Sequence, residues 1–87
     1  MKVLFHGYVT KYTNGDTDYH PKHTAISLQE LLDELCAFYG KQLSEFINSN
    51  ETCLILINSK GTAHSGGLDS HLRAGDKIEI LPFIGAG

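Results

Sequence analysis

No stretch of this sequence is apolar enough to cross a membrane. The longest apolar run is Cys53-Leu54-Ile55-Leu56-Ile57, whereas a spanning helix needs about 20 such residues. Lysine and arginine number only 7, against 10 acidic residues, for a net charge of −3. They form no cluster, so the basic footprint of a protein that contacts nucleic acid directly is missing. The N-terminal MKVLFHGYV has no small-residue cleavage site and reads as a strand, not a secretory signal. Cysteine is limited to Cys36 and Cys53, each among apolar neighbours. They are expected as buried free thiols in a reduced, cytoplasmic setting, not as a disulfide framework. Internal repeats, linkers and low-complexity stretches are also lacking.

What is present fits one small globular domain of 87 residues, with 41% hydrophobic and 20% charged content. Lys2 to Tyr12 reads as a first strand interrupted at Gly7, where a bulge or a close backbone approach is expected. Asn14-Gly15 is a short-range hairpin signal because both residue types tolerate positive φ. A second strand is expected near Asp18 to His23, confined to an edge by Pro21. Ser27 followed by Glu30 forms a capping box. Leu28, Leu31, Leu32, Leu35 and Tyr39 then recur at helical spacing and face a core. Gly40 stops that helix, and KQLSEFIN adds a short helical segment.

TCLILIN is apolar on both faces, as a central, covered strand would be. NSKGTAH is expected as a turn and a short strand, SGGLDSHL as a loop with one helical turn, and RAGD as a tight turn. KIEILPF alternates, with Ile78 and Ile80 inward and Glu79 and Leu81 opposite, as a half-buried last strand does. The fold class is α+β, with one main helix on a small mixed sheet. A hairpin, a crossover helix and a return to the sheet describe the β-grasp (ubiquitin-like) architecture.

From Leu54 onward the order of features resembles the MoaD/ThiS family of ubiquitin-like sulfur carriers. A strand ends in Ile57-Asn58, Gly61 lies in a turn, and Leu68-Asp69 and Leu72 precede Ala74-Gly75-Asp76. KIEILP then leads directly into a glycine-ending tail. The N-terminal strand, the hairpin and the capped helix fit the same fold, so the resemblance spans the chain, and it is greatest to the small subunit of molybdopterin synthase. It implies a β-grasp domain over residues 1–81 and a flexible tail over 82–87. It also implies a carrier that works with enzymes, not an enzyme by itself. The Gly87 carboxylate is the expected reacting group: a partner activating enzyme adenylates it with ATP, and a sulfur donor converts it to a thiocarboxylate. No resident cofactor is implied. The expected partners are that activating enzyme and the molybdopterin synthase large subunit or an equivalent sulfur acceptor. Other destinations within the resemblance are tRNA thiolation, thiamine synthesis, or conjugation to proteins as a ubiquitin-like modifier. A β-grasp module that only binds is a further alternative.

Leu81, Pro82, Phe83, Ile84, Gly85 and Ala86 are the expected partner-binding residues. Glycine at the end leaves the carbonyl unhindered, and apolar residues before it can dock. Members of the family usually end Gly-Gly, whereas this chain ends Gly85-Ala86-Gly87. Leu81 and Phe83 are the expected docking contacts. His20 and His23 are read as surface or edge-strand histidines, since no cysteine or acidic ligand accompanies them at familiar metal spacing. No metal site is assigned, and His6, His64 and His71 receive no role. Cys53 is expected as an inert strand cysteine instead of a sulfur relay. Asp69 is expected to cap a short turn, Asp76 to belong to a turn and Glu79 to an exposed strand face.

Overall fold

The computed structural model describes residues 1–49, 52–61 and 67–82. Strand β1 (Lys2–Phe5) leads into a 3-10 helix (Gly7–Tyr12), followed by β2 (Asp18–Tyr19) and β3 (Ala25–Ser27). Helices α1 (Leu28–Tyr39) and α2 (Lys41–Ile47) precede β4 (Cys53–Ile57) and β5 (Lys60–Gly61). A second 3-10 helix (Gly67–Asp69), β6 (His71–Arg73) and β7 (Lys77–Pro82) complete the described chain. The main sheet has the order β2-β1-β7-β4-β5; β1 and β7 are parallel and the other pairs antiparallel. A separate antiparallel ribbon joins β3 to β6. This is the expected β-grasp arrangement: a mixed sheet with the main helix on one face.

Helix α1 forms where the local chemistry demands it. The Ser27 hydroxyl accepts from the Glu30 amide at 3.1 Å, and the Glu30 carboxylate accepts from the Ser27 amide at 3.2 Å. These reciprocal bonds satisfy two backbone donors that a helix start leaves open. Leu28, Leu31, Leu32 and Leu35 are all buried, and burial of each leucine contributes about 1.5–3 kcal/mol. At Gly40, φ reaches +105°, which ends α1 and starts α2 at an angle that a side chain resists. Helix α2 adds Leu43 and Phe46 to the same core as Val3, Phe5, Ile57, Ile78 and Ile80.

Two segments depart from the expected reading. The first strand ends at Phe5 and not at Tyr12, because Gly7 turns the chain with φ +59° into the 3-10 helix that buries Val9. Asn14 and Gly15 do adopt positive φ (56° and 86°). Their turn closes the 3-10 helix, with Gly15 N–H bonded to Thr10 O at 2.9 Å, and is not a two-residue hairpin. Strand β2 is correspondingly short and lies at the sheet edge.

Strand β4 is the second departure. It is half-buried and lies beside the central β7, without a cover on both faces. Cys53, Ile55 and Ile57 pack on the core, so by the two-residue period of a strand Leu54 and Leu56 point the other way.

Candidate functional site: the tail root and the outer face of the sheet

The alternation in KIEILP sets the site. Ile78 and Ile80 are fully buried, which turns Lys77, Glu79 and Leu81 onto the opposite face. Register then assembles that face: Leu54 lies opposite Leu81, Leu56 opposite Glu79 on one side, and Leu4 opposite Glu79 on the other. Leu4, Leu54, Leu56 and Leu81 are all half-buried, outside the core cluster. The outer face is therefore apolar around one carboxylate. Glu79 Oε2 is 2.8 Å from His6 Nε2, and its Oε1 is 3.5 Å from Lys77 Nζ. Glu79 is thus not on a freely exposed face: its side chain is 17% exposed.

Pro82 is the last residue of β7 and pairs with Cys53, so the strand reaches the residue where the tail was expected to begin. A proline is tolerated at this strand end, beyond the ladder bonds of the interior. Its ring closes on the 3-10 helix: a Cβ built on Gly7 would stand 3.1 Å from Pro82 Cγ and 3.4 Å from Cδ. Beside this junction Tyr8 is 40% exposed, and its ring packs edge-on against Phe46, with centroids 5.8 Å apart. Of the expected site residues, Leu81 and Pro82 are placed together at the tail root. Phe83, Ile84, Gly85, Ala86 and Gly87 lie outside the described residues.

The turns that hold β7 are cross-linked by side chains. Asp76 accepts from the Arg73 amide at 2.8 Å and from the Asn58 side-chain amide at 3.0 Å. Asn58 in turn accepts from the Lys77 amide at 2.9 Å. The Asn58 hydrogen bond, followed by that from Arg73, holds the Asp76 carboxyl below its ordinary value. Asp76 therefore fills the turn role its position suggested, whereas Asp69 ends the second 3-10 helix instead of capping it.

The other polar residues have local partners. His20 meets Asp18 at 3.0 Å, while His23 meets Glu34 at 2.6 Å. Glu34 also accepts from the Tyr19 hydroxyl at 2.7 Å; that bond and then His23 lower the Glu34 carboxyl. The two histidines are thus directed to different carboxylates. Among the described residues no three histidine, cysteine or acidic side chains gather as a metal set. Cys36 and Cys53 are half-buried free thiols, less enclosed than their apolar neighbours implied. Burial pushes the Cys53 thiol up to about 11, so at neutral pH it is protonated and a poor nucleophile. His6 is the site residue that sequence reasoning passed over. Nothing local marks it, because its partner lies 73 positions away on the parallel neighbour.

Comparison with known proteins bears on this arrangement. No curated protein matches the chain. Three solved structures share the fold. One chain of the Amycolatopsis orientalis BexX/CysO complex superposes with a TM-score of 0.78 at 19% identity, covering 99% of this chain and 98% of that one. Small archaeal modifier protein 1 of Methanosarcina acetivorans gives 0.75 at 21% identity, covering 99% and 94%. A putative molybdopterin converting factor subunit 1 of Pyrococcus furiosus gives 0.65 at 16% identity, covering 93% of each chain. Among the described residues no helix is long and apolar enough to cross a membrane. The ThiS family model matches residues 3–87, so it takes in β1, the outer face, the tail root and the terminal glycine. The chain belongs to the ThiS family of ubiquitin-like sulfur carriers.

Proposed function

We propose that this chain carries sulfur as a thiocarboxylate on Gly87 and delivers it in molybdopterin synthesis. The single observation that carries the reading is the family match through Gly87 on a chain whose last described strand, β7, aims at the tail. A free α-carboxylate, with a pKa of about 3.3–3.7, is ionised at neutral pH and resists attack. The carboxylate therefore first attacks the α-phosphate of ATP in a partner enzyme, forming an acyl-adenylate and releasing pyrophosphate. A sulfur nucleophile then adds to the carbonyl carbon and AMP leaves. Transfer of sulfur to the acceptor, with water taking its place, restores the carboxylate. ATP belongs to the partner enzyme, the carrier holds no cofactor, and the setting is cytoplasmic.

Residues 82–87 act as the threading tail. Leu81 and the outer face dock, and Phe83 and Ile84 anchor, each worth up to about 1.5–3 kcal/mol if fully buried. That offsets part of the roughly 1–2 kcal/mol per residue needed to order the tail backbone. Ala86 fits a bound conformation with negative φ, where its methyl group also restricts the free tail.

The test is an intact mass after incubation with ATP, a sulfide donor and the activating enzyme of the same source, for wild type, Ala86→Gly and a chain lacking Gly87. A mass rise equal to one oxygen replaced by sulfur is expected in the first two and not in the third. Loading of the truncated chain would sink the proposal. Loading of Ala86→Gly alone would instead assign the wild type to the binding-module reading. A second reading, conjugation to protein lysines, is favoured by the likeness to the archaeal modifier. It expects Gly87 in isopeptide linkage in digests of host protein.

A further inference from the structure

We propose that the outer face of the sheet receives a partner surface presenting one cationic side chain, set among apolar ones, to the Glu79 carboxylate. The partner's identity as the activating enzyme rests on the carrier reading above; the charge requirement comes from the geometry.

Side chains on one face of a strand repeat every second residue, roughly 6.5 Å apart. Along β7 the outer face reads Leu81, Glu79, Lys77 away from the tail root. Leu54 flanks Leu81, while Leu56 and Leu4 flank Glu79. A partner that covers the leucines at the tail root, as it must to take the tail, therefore also covers Glu79 one strand repeat away. Coverage strips water from a carboxylate, which is costly unless a charge and hydrogen bonds replace that water.

The internal partners supply only part of this. His6 Nε2 bonds Oε2 at 2.8 Å, and its ring adds a charge only when protonated. Lys77 Nζ stands 3.5 Å from Oε1, beyond the usual N–H···O range of about 2.7–3.2 Å. An ionised carboxylate accepts about four hydrogen bonds. Oε1 is therefore the open acceptor at the centre of an apolar face, and a guanidinium or ammonium group is the complement. The charge also sets register, because a partner shifted by one strand repeat would place its cation against Leu81 or Lys77.

The test is ATP–pyrophosphate exchange by the activating enzyme of the same source, with the carrier varied, at 50 and 300 mM salt, for wild type, Glu79→Gln and Glu79→Lys. Thermal melts confirm that each variant is folded. Glu79→Gln keeps the shape and the His6 hydrogen bond, so an increase of about 10-fold in KM for the carrier is expected, with kcat held and the salt dependence of KM reduced. Glu79→Lys should raise KM by about 100-fold. Wild-type KM in Glu79→Gln, with unchanged salt dependence, would overturn the proposal while leaving the carrier reading intact. Absence of exchange with wild type would remove the carrier reading and this proposal together. A concentration-dependent dimer strengthened by Glu79→Gln would assign the face to a second copy of the chain and also overturn the proposal.

Discussion

Gly7→Ala tests whether the 3-10 helix sets the course of the tail root. Gly7 has φ +59°, and an added Cβ would meet Pro82 Cγ at 3.1 Å. Gly67 is a matched control, with φ +64° and nothing within 4 Å of its Cβ position. Left-handed backbone costs a residue with a Cβ about 1–2 kcal/mol. Restricting the unfolded chain returns about 0.4–1 kcal/mol. Gly67→Ala should therefore lose about 0.5–1 kcal/mol by both terms. Gly7→Ala carries the same backbone penalty and must also displace the Pro82 ring. The low end of the overpacking range, about 1 kcal/mol, suits a contact at a strand end. With about 4–8 °C per kcal/mol for a domain of this size, Gly7→Ala should melt roughly 4–8 °C below Gly67→Ala. Thermal unfolding followed by circular dichroism measures the difference. Pro82→Ala in the Gly7→Ala background should recover most of it by removing the obstructing ring. Equal melting temperatures for the two single variants, or no recovery in the double variant, would refute a structural contact between Gly7 and Pro82.

Asp76→Ala should lose about 1–3 kcal/mol in urea unfolding, since it removes acceptors from the Asn58 side chain and the Arg73 amide. The Asp76 carboxyl is lowered from 3.8, so its contribution is present above that value and is lost as pH falls through the lower folded value. Wild type should therefore shed stability in acid more steeply than Asp76→Ala. Cys53, with its thiol pushed up to about 11, should react slowly with iodoacetamide at neutral pH and faster as pH rises toward that value. A Cys36→Ala background isolates the signal, and rapid alkylation at pH 7 would contradict the burial argument.

Several features were legible because their causes are local. The Ser27 and Glu30 cap closes within one helical turn, and the leucine spacing of α1 requires only a helix with one apolar side. Gly40 ends that helix through its own backbone freedom. The alternation in KIEILP put Ile78 and Ile80 inside and Leu81 outside, as found. The motifs near the end also pointed to the family that the match over residues 3–87 establishes. TCLILIN misled because an apolar run shows that side chains avoid water without showing what covers them. Leu54 and Leu56 lie on the outer face of the sheet.

The sequence by itself determined the short-range structure: caps, helix stripe, turn glycines and the two-residue period of the last strand. Each depends on residues a few positions apart. Tertiary structure alone decided that β1 runs parallel to β7, that His6 meets Glu79, and that Gly7 closes on Pro82. Those contacts join the two ends of the described chain, and no local spacing encodes them. Their register follows from burying Val3, Phe5, Ile78 and Ile80 in one core, since a slip of one residue would expose them to water.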